Sequence, residues 1–163
     1  MVAGTAIADR AQAWADVYLQ LRPTLVRALA ASVGTYEGVE DAIQEAFASA
    51  LTRDIAEFRS PEAWLYTVAL NRLRKQHRRA ALAAKMRLRP QPQPHDLDNS
   101  LRRADLMSRL LALPARDREL LIAKHYVGMT QDEIAAYLKV PRGTVAAAIS
   151  RAAARFRGSE TAR

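Results

Sequence analysis

The stretch TQDEIAAYLKVPRGTVAAAISRAAARF, residues 130–156, has the frame of a helix-turn-helix. Thr130 followed three residues on by Glu133 makes a capping box, in which each side chain accepts from the other's backbone N–H, and this predicts a helix start. After a turn, Val145, Ile149, Ala152 and Phe156 recur on one face of a second helix as an apolar stripe. Gly143, Ala147, Ser150, Arg151 and Ala154 then face outward, flanked by Arg142, Thr144, Arg155 and Arg157. Only Arg151 has the forked donors for a bidentate grip on a guanine edge, worth about 1–3 kcal/mol of discrimination. The flanking groups suit phosphates. A helix so rich in alanine cannot bind DNA tightly and selectively by itself. Alanine is also the best helix former, so stable packing alone is a competing reading of the same residues.

The composition agrees with an all-α chain. Half of the residues are apolar but only 6% are aromatic, glycine is scarce, and Ala, Leu, Arg and Glu abound. The 163 residues suffice for two small helical domains, because about 60 residues can bury a usable core. Without cysteine there is no disulfide, thiolate zinc site or cysteine nucleophile. The first residues, MVAGTAIADR, lack a secretory signal pattern, and no run approaches the roughly 20 apolar residues that span a bilayer, so a soluble protein without membrane insertion is expected.

The net charge of +8 attracts polyanions, and its distribution is uneven. Eight Lys or Arg and no acid lie between Asn71 and Arg89, whereas Glu37, Glu40, Asp41, Glu45 and Asp54 face a single Arg between Tyr36 and Asp54. One basic and one acidic surface follow.

Trp14, Val17, Leu21, Leu25, Leu29 and Val33 recur at helical spacing, with Pro23 expected to kink that helix or start another, and Gly34 to stop it. Val39, Ile43, Phe47 and Ala50 share the inner face of the next helix and leave Asp41, Glu45, Ala48 and Thr52 outward. Ser60-Pro61-Glu62 predicts a further helix start. In the helix that follows, Leu65, Val68, Ala69 and Leu73 can pack inward, leaving Trp64, Asn71, Arg74 and Arg78 on a shared outer face. Residues 86–100, with alternating prolines, are expected to form a tether between domains at 11–85 and 101–158, with a disordered start at 1–10 and a tail at 159–163. Leu106, Leu110 and Leu113 resume helical spacing up to Pro114, and Arg116 to Val127 reads as a helix ended by Gly128.

VEDAIQEAFASAL, SPEAWLYTVALNRLRKQHRR and LPARDRELLIAKHYVGMTQDEIAAYLKVPRGTVAAAISRAAARF, in that order, resemble a bacterial sigma factor of the extracytoplasmic-function type over residues 11–157. The resemblance implies a cytoplasmic transcription initiation factor, not an enzyme and without cofactor or metal. Its first domain would open the −10 element, and its helix-turn-helix would contact the −35 element. Asp41, Gln44 and Glu45, beside Ala48, match the run that docks on the clamp helices of the polymerase core's large subunit. Trp64, Tyr66, Asn71 and Arg72 match the promoter-melting helix, with Arg74, Lys75 and Arg78 continuing its basic face, and Arg59 and Ser60 fall in the loop that captures an unstacked base. Arg142, Thr144, Ala147, Ser150, Arg151 and Arg155 fall where the −35 element would be met. An anti-sigma protein is a further candidate partner.

Two departures stand out. The usual G-T-V-K-S-R-L is Gly143-Thr144-Val145-Ala146-Ala147-Ala148-Ile149, lacking two basic residues, and the turn has Lys139 and Pro141 in place of Gly and a Ser cap. Competing readings of the other motifs are a dipole-stabilising role for the acids, core packing for Trp64 and Tyr66, and a passive spacer for the tether. An autonomous dimeric helix-turn-helix regulator is the alternative function. His77, His95 and His125 are isolated and fit no catalytic or metal spacing.

Overall fold

The computed structural model describes residues 2–87 and 101–158, with side chains at 8–83 and 105–158. Seven helices are found among these residues: α1 Val2–Val33, α2 Val39–Ala50, α3 Pro61–Arg87, α4 Leu101–Ala112, α5 Ala115–His125, α6 Gln131–Leu138 and α7 Arg142–Gly158. A 3₁₀ turn at Ile55–Glu57 lies between α2 and α3.

Helix α1 departs from expectation in two places. It begins at Val2, so the segment expected to be a disordered start is helical backbone, and it runs unbroken through Pro23. A proline there removes a hydrogen bond to the Leu19 carbonyl. Leu19 and Pro23 are both exposed, so water can satisfy that carbonyl. Gly34, at φ 85°, ends the helix as its composition requires.

Gly38 starts α2 at φ 75°, a left-handed conformation that glycine adopts without strain; a Cβ there would also displace the end of the Gln76 side chain, 2.8 Å away. Val39, Ile43, Phe47 and Ala50 are buried as their spacing predicts, while Asp41, Glu45, Ala48 and Thr52 are exposed. Helix α3 starts at Pro61 under a cap in which Ser60 Oγ accepts from Ala63 N at 3.2 Å. It extends to Arg87, so Met86 and Arg87 belong to the helix; the rest of the expected tether lies outside the described residues.

Aromatic edges hold the loop after α2. Trp14 meets Phe47 and Phe58 edge-on at 6.1 and 5.3 Å, and Phe58 meets Trp64 at 4.9 Å. Trp14 Nε1 donates to the Arg53 carbonyl at 3.0 Å. Asp54 and Glu57 cap the 3₁₀ turn reciprocally.

The halves are not separate in space. Helix α5 packs on α1, and one core cluster runs from Trp14, Leu29 and Leu70 in the first half to Leu120, Ile122, Ile134 and Val145 in the second. A smaller cluster of Leu113, Leu121 and Ala152 joins α5 to α7. Among the described residues no helix is long and apolar enough to cross a membrane.

Candidate polymerase and nucleic-acid surfaces

Helix α2 presents Asp41, Gln44, Glu45 and Ala48 to solvent on one face. Their positions follow from burial of the opposite stripe against α1 and α3. Glu45 is not independent of the next surface. It pairs with Arg72 of α3, whose Nη2 also donates to Ser49 Oγ at 3.0 Å. Arg72, assigned in sequence to the nucleic-acid face, here braces α3 against α2.

Along α3, Asn71, Lys75 and Arg78 are exposed. Arg59 is exposed on the preceding loop, and Ser60 is committed to the helix cap. Trp64 is half-buried against Phe58, which combines part of a packing role with an accessible remainder.

Tyr66 corrects the sequence assignment. It is fully buried, and its hydroxyl lies 2.7 Å from Ser32 Oγ, so in this structure it is a core residue with no ring face for a base. Burial pushes its phenol pKa up, partly opposed by the Ser32 hydrogen bond. The misassignment has a plain cause: the hydroxyl is held by Ser32 of α1, and Leu120, Ala123 and Ile134 of the second half border the ring.

Arg74 is placed differently again. Its Nε donates to Glu119 Oε1 at 3.1 Å, its Nη2 pairs with Glu119 Oε2 in a fork, and its Nη1 donates to the Tyr137 hydroxyl. Burial raises the Tyr137 phenol pKa, against the opposing effect of the Arg74 charge and hydrogen bond. Next to Glu119, Arg118 is buried and reaches the Ser32, Leu111 and Leu113 carbonyls. Burial depresses its pKa from the ordinary arginine value.

Arg118, Glu119 and Tyr137 are structural determinants that the motif reading passed over. A signal existed: Arg118 and Glu119 share helical faces with Ile122 and Ala123, and charges on an apolar face demand partners.

On α7, Gly143, Ala147, Ser150, Arg151 and Ala154 are exposed while Val145 and Ala152 are buried. Arg142, Thr144 and Arg155 are exposed at the sides. Arg155 pairs with Asp117 of α5, and Arg142 lies 3.7 Å from Asp132. Arg151 has no ion-pair partner among the described residues, which leaves its fork available. The turn before α7 holds Lys139 at φ 54° and ψ 45°, so the left-handed conformation persists without glycine. No cluster of three potential metal ligands occurs among the described residues.

Comparison with known proteins decides the family. Residues 17–82 match sigma-70 region 2 and residues 103–156 match sigma-70 region 4. The chain is 31% identical over 171 aligned residues to the ECF RNA polymerase sigma factor SigD of Mycobacterium tuberculosis and of Mycobacterium bovis, covering 96% of this chain and 81% of each relative. The chain belongs to the ECF sigma factors.

Among solved structures, this sigma factor resembles RpoE in complex with the anti-sigma factor NepR from Bartonella quintana, with a TM-score of 0.78 at 20% identity, covering 93% of this chain and 98% of that one. That likeness concerns the fold. It also resembles CnrH in complex with the cytosolic domain of CnrY, with a TM-score of 0.63 at 28% identity over 98% of this chain and 95% of that one. Region 2 matches α1 to α3, and region 4 matches α4 to α7. The family supports promoter-specific transcription initiation.

Proposed function

We propose that this sigma factor docks on the clamp helices of the polymerase core through Asp41, Gln44, Glu45 and Ala48, and holds separated −10 strands with α3 and its preceding loop. Arg59, Trp64, Asn71, Lys75 and Arg78 supply the strand surface, with Arg74 joining it when freed from Glu119. Thr144, Ala147, Ser150 and Arg151 of α7 face the −35 element, and Arg142 and Arg155 flank it. The carrying observation is the exposure of acids on α2 beside exposed cations on α3. A melted strand offers π-faces and phosphates, and such a surface stabilises it by stacking, about 1–3 kcal/mol per base, together with charge. The sparse chemistry of α7 fits a factor whose two weak DNA contacts are joined through polymerase and reinforce each other by effective concentration.

A partner of the anti-sigma class would act by covering these surfaces. Support comes from an apolar groove of about 920 Å³ between the halves, lined by Val26, Met107, Leu110, Ile122, Tyr126 and Phe156, which suits an apolar helix.

The test is reconstitution with core polymerase. Charge reversal by Asp41→Lys with Glu45→Lys removes core binding and promoter-directed RNA synthesis; unchanged synthesis refutes the assignment. A nanomolar, sequence-selective complex of the free chain with a palindrome would favour the dimeric regulator instead.

A further inference from the structure

The groove of about 920 Å³ is bordered by α1, α4, α5 and α7, and its walls are apolar: Val26 of α1, Met107 and Leu110 of α4 and Ile122 of α5 line it. Leu106 and Tyr126 on its border are 47% and 46% exposed, among the large apolar side chains left most open to water. Apolar surface gathered in a concavity, rather than scattered singly, marks a binding site. One wall is set in advance. The Arg109 guanidinium stacks on the Phe156 ring at 4.3 Å and donates to the Phe156 carbonyl at 3.0 Å, which fixes that ring before any occupant arrives.

The charges around the groove are unbalanced. Three guanidiniums, Arg22, Arg27 and Arg157, line it against one carboxylate, Glu40. Arg22 donates from Nε and Nη2 to the two Glu40 oxygens, so that pair is already satisfied. Arg27 and Arg157 are exposed and have no hydrogen-bond or ion-pair partner among the described residues. Two free cations beside an apolar cavity select an occupant with an anionic head and an apolar body. A guanidinium grips a carboxylate through two parallel hydrogen bonds, and the walls gain from every methylene taken out of water.

Size and chemistry narrow the choice. Small-molecule sites enclose roughly 300–1,000 Å³, and this groove lies within that range. A peptide helix about 10–12 Å in diameter would fill the same volume in about two turns, leaving the rest of its length outside. A polyanion would set polar groups against apolar walls without partners. A single alkyl chain ending in a carboxylate lies wholly within, and the flexible Met107 thioether can adapt to its path.

We propose that this groove binds a long-chain fatty acid, with the alkyl chain along the walls formed by α1, α4 and α5 and the carboxylate held by Arg27 and Arg157. Binding requires neither polymerase, DNA nor a protein partner. Its failure would therefore leave the roles given to α2, α3 and α7 untouched.

Equilibrium dialysis of radiolabelled myristate against the full chain, below the concentration at which myristate aggregates, is expected to show one saturable site. Burial of a methylene changes affinity by up to about fourfold, so laurate, decanoate and octanoate should bind progressively more weakly. Arg27→Gln with Arg157→Gln should weaken myristate about tenfold and leave 1-tetradecanol, which has no anionic head, unchanged. Arg27→Lys with Arg157→Lys should retain most of the preference for the acid. Leu106→Glu, at an exposed position, should weaken acid and alcohol alike. Myristate should also raise the thermal unfolding midpoint of the parent chain by mass action, but not that of Leu106→Glu. Circular dichroism shows which variants are folded; should the double glutamine variant not fold, the chain-length series and Leu106→Glu decide. Uptake without saturation, equal affinity for myristate and 1-tetradecanol, or indifference to chain length overturns the proposal. So does binding of a leucine-bearing amphipathic peptide helix without binding of myristate, or self-association in sedimentation that Leu106→Glu abolishes, because the groove would then seat a helix or a second copy of the chain.

Discussion

Arg118 Nε donates to the Ser32 carbonyl oxygen at 3.0 Å, joining the last turn of α1 to α5 across 86 residues of chain. The last carbonyls of a helix have no partner within it, and here one guanidinium serves the ends of both α1 and α4. Replacement by alanine leaves these groups to water or unsatisfied. Arg118→Ala should lower the free energy of unfolding in urea by about 1–3 kcal/mol, the cost of abandoning a buried polar network. Arg118→Lys should recover only part of it, since an ammonium cannot span the same three acceptors with a planar fork.

Alkaline pH should weaken this fold through Tyr66 and Tyr137. Burial raises both phenol pKa values in the folded chain above the ordinary value of about 10. The folded state therefore keeps protons that the unfolded state gives up once pH exceeds about 10, so stability is full below that point and falls as pH rises above it. Denaturation midpoints measured from neutral to strongly alkaline pH should follow that curve, with phenolate absorbance from these two rings appearing only on unfolding. Tyr66→Phe should flatten the slope; an unaltered slope would show that the hydroxyl beside Ser32 is not the linked group.

Helix placement was legible because each start and stop has a local chemical cause. Thr130 with Glu133, Ser60 with Pro61, and Gly34 act within a few residues of themselves, and all hold their expected positions. The inward stripe of α2 was equally legible, since a period of 3.6 residues needs no knowledge of the partner helix. Tyr66 and Arg74 were not, because their surroundings come from α5 and α6, far along the chain. Spacing tells which face a residue occupies but not whether a distant helix covers that face. Arg72 illustrates the same limit: its partners Glu45 and Ser49 lie on α2, on a surface assigned to a different task.

Arg151 is the residue of α7 on which base discrimination should depend. Arg142 and Arg155 already have carboxylate neighbours in Asp132 and Asp117, whereas Arg151 is exposed without one among the described residues. With the polymerase holoenzyme on promoters that differ in the −35 element, Arg151→Ala should reduce discrimination by about 1–3 kcal/mol, roughly 5- to 150-fold. Arg142→Ala should instead weaken all sequences alike and lower the salt dependence by about one phosphate contact. Equal behaviour of the two variants would mean that α7 reads only phosphates.

Lys139 offers a test confined to backbone conformation. It stands at φ 54° and ψ 45° at the end of α6, where Val140 N donates to the Ala135 carbonyl at 3.1 Å and Lys139 N to the Ala136 carbonyl at 3.4 Å. These are the paired hydrogen bonds that end a helix through a left-handed residue, with Val140 and Ala135 both packed on the core. A Cβ in that conformation costs about 1–2 kcal/mol, and the closing bonds must outweigh it. Lys139→Gly removes the steric cost but adds backbone freedom to the unfolded chain, so a net gain of about 0.5–1 kcal/mol is expected in thermal unfolding. Lys139→Val should lose at least about 1 kcal/mol, because a β-branched side chain is least tolerant of positive φ. If glycine and valine shifted the midpoint in the same direction, the ending of α6 would not be governed by this residue.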